Sequence, residues 1–161
     1  MTSGPKAAAA DPSFVVMNAM REASALGILY SATVARHLGI GSSDLECLDF
    51  VATNQPVTAG ALATQTGLTT GAITGVIDRL EKAGLVRRLV SSEDRRKVFV
   101  GTTDAFRKKV VPLFEPMQRL QSAVISKHSR EQLELVASFM SSSLDAARNA
   151  VTELSSKRPK K

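Results

Sequence analysis

Thr69 to Thr103 reads TTGAITGVIDRLEKAGLVRRLVSSEDRRKVFVGTT, and this stretch decides the fold. Ile73, Val76, Ile77 and Leu80 recur at i, i+3, i+4 and i+7, which predicts a helix with one buried stripe running to Ala83. Thr69 can cap its start and Gly84 can stop it. Two short Val-containing runs follow, Leu85 to Val90 and Lys97 to Thr102, separated by the polar segment Ser91 to Arg96. That order predicts a hairpin with a long, charged tip.

Towards the N-terminus, Thr58 can cap a short helix that carries Leu62 and Ala63 on its buried side, and Thr66-Gly67-Leu68 makes a tight turn into the Thr69 helix. Ahead of it, Ser43 to Glu46 has the spacing of a capping box, with Leu45, Leu48 and Val51 on one face and an end near Asn54 before Pro56. A first long helix is expected from Pro12 to about Leu38 on the periodicity of Val16, Met20, Leu26, Leu29, Val34 and Leu38, stopped by Gly39. Beyond the hairpin, a helix should begin near Thr103, with Pro112 and Pro116 kinking it or resetting its start. Ser129 with Gln132 opens the last helix, through Leu133, Val136, Phe139, Met140, Leu144 and Val151. The fold class is therefore mainly α with a small β-hairpin wing: a winged helix-turn-helix flanked by N- and C-terminal helices.

Two helices joined by a glycine-containing turn and followed by a basic hairpin suit duplex DNA. The outward face of the Thr69 helix carries Gly71, Gly75, Asp78 and Lys82, flanked by Thr74 and Arg79. A glycine inside a helix costs roughly 1 kcal/mol relative to alanine, so an exposed pair needs a reason. Close approach to DNA is one reason and close packing on another helix is the other. The hairpin places Arg87, Arg88, Arg95, Arg96 and Lys97 within eleven residues, against Glu93 and Asp94. Such a tip can follow the DNA backbone or enter the minor groove, or it can be a solvated turn with Asp94 paired locally. The chain of 161 residues has net charge +6, but Lys157, Arg158, Lys160 and Lys161 supply four of those charges, so the clustering in the hairpin matters more than the total.

Other classes of function find little support. No phosphate-binding glycine loop, nucleophile elbow or His with a matching Ser or Cys is present, so no enzyme and no cofactor are expected. His37 and His128 are far apart, which leaves no metal site. Cys47 is the single cysteine; it fits a reducing cytoplasm and reads as a packed structural thiol rather than a redox sensor. No apolar run approaches the roughly 18 residues needed to span a bilayer, and Met1 to Pro12 lacks the pattern of a signal peptide.

The quoted stretch resembles the core of the MarR family of regulators, in IDRLEKAGLVRR (Ile77 to Arg88) and in the wing signature where Asp94 and Arg96 precede Val100 and Thr103. More weakly, the resemblance extends through Asp44 to Leu68, and the terminal helices match in placement and length. It implies a homodimer interlocked through the terminal helices, with two recognition helices in successive major grooves of a pseudo-palindromic operator. It also implies a repressor released by a small phenolic or anionic ligand. The implied DNA contacts are Thr58, Thr69, Thr70, Gly71, Thr74, Gly75 and Arg79, with Arg95, Arg96 and Lys97 at the wing tip and Asp94 bracing the wing against Arg79. The implied ligand residues are Tyr30, His37, Phe50 and Phe106, although Tyr30 also suits an interface and His37 a helix C-terminus.

Gly75 stands where members often carry a longer side chain, which implies fewer base contacts and more weight on phosphates and DNA shape. The expected organisation is a flexible arm over 1–11, one domain over 12–154 and a basic flexible tail over 155–161. Within the domain, a DNA-binding lobe of about 43–103 lies between dimerisation helices at about 12–39 and 104–154. The rival readings are a winged-helix module that binds an acidic protein, and a DNA-binding regulator without ligand response.

Overall fold

The computed structural model describes residues 11–90 and 98–157. Among them, seven helices and three strands run in the order α1 (Pro12–Leu38), α2 (Ser42–Asn54), β1 (Val57–Thr58), α3 (Ala59–Thr66), α4 (Thr70–Lys82), β2 (Val86–Val90), β3 (Val98–Thr102), α5 (Asp104–Lys109), α6 (Val111–Ile125) and α7 (Arg130–Ser156). Two compact units divide after Leu113.

In the first unit, α1 begins where Asp11 caps it, its carboxylate accepting the Ser13 N–H at 3.0 Å, and ends at Gly39. Asp11, placed in the flexible arm by sequence, thus belongs to the helix start; the remainder of that arm lies outside the described residues. The start of α2 differs from expectation. Gly41 takes the N-cap position, and Asp44, not Glu46, reaches back to accept the cap's backbone N–H at 3.1 Å. The cap falls two residues earlier because the Asp44 carboxylate closes the turn onto Gly41 while it also meets Arg79. Further on, Thr58 and Thr69 cap α3 and α4 as predicted, through Ala61 and Ala72. Gly67 makes the turn between them at φ +70°, a conformation that side chains disfavour.

Sequence reading missed β1, a strand of two residues that carries no periodicity of its own. It pairs antiparallel with β3 (Val57 with Val100), and β2 pairs with the other edge of β3 (Val86 with Thr102), so the hairpin is part of a three-stranded sheet ordered β1-β3-β2. Gln55 seals this corner, its side-chain oxygen accepting both the backbone N–H and the hydroxyl of Thr102. The core lies under the sheet and between α2, α3 and α4: Leu48, Val51, Leu62, Ile73, Leu80, Leu85 and Val100 are all fully buried.

Thr103 caps α5 and donates to the Gly84 carbonyl at 2.6 Å, which pins the helix to the base of the hairpin. The two prolines then act differently. Pro112 falls in the first turn of α6, where a missing donor costs little, and so marks a restart; Pro116 sits inside α6. In the second unit, Ser129 and Gln132 form the predicted capping box of α7. That helix runs to Ser156, past the expected start of the tail at 155, and Lys157 pairs with Glu153. Residues 158–161 of the tail lie outside the described residues.

Leu62 is the one fully buried side chain of α3, which makes it the test of how that helix is seated. Leu62→Ala should lower the unfolding free energy by about 2–5 kcal/mol in urea titration. A loss below about 1 kcal/mol would mean that α3 is not part of the core.

Candidate nucleic-acid interface

The orientation of α4 follows from its buried stripe. Ile73, Val76, Ile77 and Leu80 are 0–3% exposed, which leaves Thr70, Gly71, Thr74, Asp78, Arg79 and Lys82 on the exposed side and Gly75 half-buried. Thr69 stands exposed at the helix start, where free backbone donors favour an anion. Thr58 holds the equivalent place on α3, half-buried. Thr74 donates its hydroxyl to the Thr70 carbonyl and remains exposed.

Among the described residues, the glycine pair has no helix packed on it. A Cβ at Gly71 would meet nothing within 4 Å, and one at Gly75 would meet only the Nη1 of Arg79, at 3.3 Å. Helix–helix packing within the chain therefore does not explain either glycine, and close approach of another molecule remains.

Two ion pairs organise the charges. Arg79 lays its Nε and Nη2 on the carboxylate of Asp44, at 3.0 Å and 2.7 Å for the closest contacts. Asp44 is buried and held below its ordinary pKa, chiefly by the Arg79 hydrogen bonds, while desolvation pulls the other way. The resemblance sets Arg79 opposite Asp94; here its Nε and one Nη2 hydrogen face Asp44, and Asp94 lies outside the described residues. Arg88 on β2 meets both acids of α4, Asp78 at 2.5 Å and Glu81. Its guanidinium is thus drawn to the helix, while Arg87, beside it, is exposed. The wing-tip candidates Arg95, Arg96 and Lys97 lie outside the described residues.

The candidate ligand residues are dispersed over several elements. Tyr30 donates its hydroxyl to the Leu113 carbonyl at 2.6 Å, which joins α1 to the start of α6. His37 is exposed in the last turn of α1, and Phe106 is half-buried on α5. Phe50 lines a cavity of about 390 Å³ with Glu46, Asp49 and Gln65, and none of the other three is in its lining. Cys47 is fully buried, and burial pushes its thiol pKa up, which keeps it protonated and packed. No described helix is long and apolar enough to cross a membrane.

Residues 40–98 match the MarR family profile. The HTH-type transcriptional regulator YcgE of Bacillus subtilis (strain 168) is 36% identical over 118 residues, which are 73% of this chain and 77% of that protein. The chain belongs to the MarR family. Solved structures share the fold. A point mutant of MepR from S. aureus superposes with a TM-score of 0.67 at 18% identity, covering 82% of this chain and 96% of that one. FabT of Streptococcus pneumoniae, solved in complex with DNA, gives 0.64 at 18% identity over 89% of this chain and 99% of its own. This MarR-family protein is accordingly a DNA-binding transcription regulator and not an enzyme.

The Asp44–Arg79 pair makes stability pH-dependent in a defined direction. A carboxyl whose folded pKa is depressed contributes fully above its unfolded value, near 3.8, and loses that contribution as pH falls through the folded value. Asp44→Asn should therefore be less stable than the wild type at neutral pH, with the gap closing in acid below about 3.8. Denaturation curves that stay parallel through the whole acid limb would remove this pair from the acid response.

Proposed function

We propose that this regulator is a cytoplasmic homodimeric repressor that places α4 of each copy in successive major grooves of a pseudo-palindromic operator. The observation that carries the reading is the outward face of α4: bare at Gly71, polar at Thr70 and Thr74, and without a helix packed on it among the described residues. Thr58, Thr69, Thr70 and Thr74 would meet phosphates or base edges, and Arg95, Arg96 and Lys97 would follow the adjacent backbone. The FabT neighbour, solved on DNA, supports this use of the fold.

Support for the dimer comes from the distribution of apolar surface. Among the described residues eighteen large hydrophobic side chains are exposed, all of them on α1, α6 and α7 and none on the α2–α4 lobe. Phe14, Met17, Leu135 and Phe139 are among them. A soluble monomer rarely leaves so much apolar area open, and a second copy that interlocks the same helices would cover it. Release by a small phenolic or anionic ligand belongs to the same proposal. MepR, whose fold is shared, has also been solved bound to ethidium bromide. Tyr30, His37, Phe50 and Phe106 remain the candidates for that contact.

The charge arrangement adds a role for Arg88. Asp78 and Glu81 lie on the helix that would face DNA, and two carboxylates there repel phosphate unless neutralised. Fluorescence anisotropy on duplex from the upstream region of its own gene should show binding that beats a scrambled duplex and weakens steeply with salt. Arg88→Gln should weaken that binding about 10-fold, and adding Asp78→Asn and Glu81→Gln should restore most of it. A triple variant as weak as the single one would make Arg88 a direct contact instead. No binding to any duplex at low salt would favour the protein-interaction module.

A further inference from the structure

We propose that Arg79 is a specificity-determining residue of the α4 surface, its guanidinium held by Asp44 beside the bare Gly71–Gly75 strip with one edge open to the O6 and N7 acceptors of a guanine. This rests on the DNA-binding reading above and names the chemistry of that same surface.

Gly71, Gly75 and Arg79 are four residues apart in turn, so they share one ridge of the helix. Helical side chains lean towards the N-terminus, which brings Arg79 back along the ridge towards Gly75. Its Nη1 lies 3.3 Å from where a Cβ of residue 75 would stand, so the strip left bare by the glycine is occupied by a guanidinium. The anchor comes from α2. Oδ1 of Asp44 accepts from Nε and Nη2, and Oδ2 accepts from Nε and from the Gly41 backbone N–H. The Asp44 side chain is 4% exposed and that of Arg79 is 57% exposed, so the holding end is buried and the working end is open.

Among the described residues the donor count leaves a fork free. Nε–H and one hydrogen of Nη2 face Asp44, so the edge shared by Nη1 and Nη2 keeps its donors. Two parallel donors match the two acceptors of guanine in the major groove, which is the commonest specific arginine contact. Pairing with Asp44 also argues for a base over a phosphate. The carboxylate offsets the charge that phosphate neutralisation needs, but it fixes the direction of the remaining donors, and direction is what base reading needs. Gly75 then also leaves room for Arg79, since a methyl there would crowd Nη1 at 3.3 Å.

The full-length protein is first used to select duplexes from a randomised library, and the enriched duplex is then titrated by anisotropy. A guanine is expected in each half-site, and replacing it by deazaguanine, which lacks N7, should cost the wild type about 10-fold in affinity. Arg79→Ala should bind both duplexes equally, and so should Arg79→Lys, which keeps the charge but has no fork, with the salt slope retained. Asp44→Asn should lose most of the discrimination while a thermal melt shows it folded; if it does not fold, the lysine variant still decides. Arg79 variants that weaken every duplex alike and lower the salt slope by about one would assign the residue to a phosphate and overturn the proposal. Retention of the guanine preference in Arg79→Lys would overturn it as well. Failure of the wild type to enrich or bind any duplex would instead sink the DNA-binding reading beneath it.

Discussion

Burial of four side chains on α4 sets the rest. Ile73, Val76, Ile77 and Leu80 have almost no solvent access, and withdrawing a large aliphatic side chain from water is worth about 1.5–3 kcal/mol. Together they supply roughly 6–12 kcal/mol as an upper bound, so a rotation of the helix by even one residue, about 100°, is closed to it. The outward face is therefore chosen by the inward one. Gly71, Thr74 and Arg79 look out because the aliphatic residues between them cannot, and any contact this helix makes with a partner is fixed before the partner arrives.

Electrostatics then refines what hydrophobic packing has oriented. Asp44 is a buried carboxylate, which is tolerable only because every side of it is met: Arg79 on one flank and the Gly41 N–H on the other. That demand ties α2 to α4 and explains the early start of α2. Arg88 acts in a comparable way from the sheet, reaching Asp78 and Glu81 across the junction of α4 and β2. These last groups are partly exposed and individually contribute little to stability. Their effect lies in the local sign of the surface: α4 sets Asp78 and Glu81 against Arg79 and Lys82, and Arg88 places a further cation on the two acids.

The elements were legible where the periodicity was long and the punctuation strong. Pro12 and Gly39 bound α1, Thr58 and Thr69 cap α3 and α4, and Ser129 with Gln132 opens α7, each by local chemistry that a sequence displays. Two failures share a cause. β1 exists only because Val57 and Thr58 pair with β3 some forty residues on, and the Asp44–Arg79 pair spans 35 positions. Neither leaves a local trace. By its spacing Asp44 belongs to a helix start, as it does in the fold, but its second partner could come only from the fold. Arg88 is the same kind of case: counted among the cations of the hairpin, it is paired with two acids on the preceding helix. Of the candidate site, the sequence identified the face of α4 and its glycines but not how its arginine is held.

The glycines show why the two levels must be read together. A helix with two of them gives up roughly 2 kcal/mol against alanine, and local propensity alone would count this as a flaw. In the folded chain Gly71 has open space above it and Gly75 has Arg79 beside it, so the loss does not relieve crowding within the core. What it secures is a ridge with no side chains across its first two turns, followed by one long cationic side chain steadied from below. An ordinary surface helix gains nothing from that profile. A helix that must sit close to another molecule, and present donors there in a fixed direction, does.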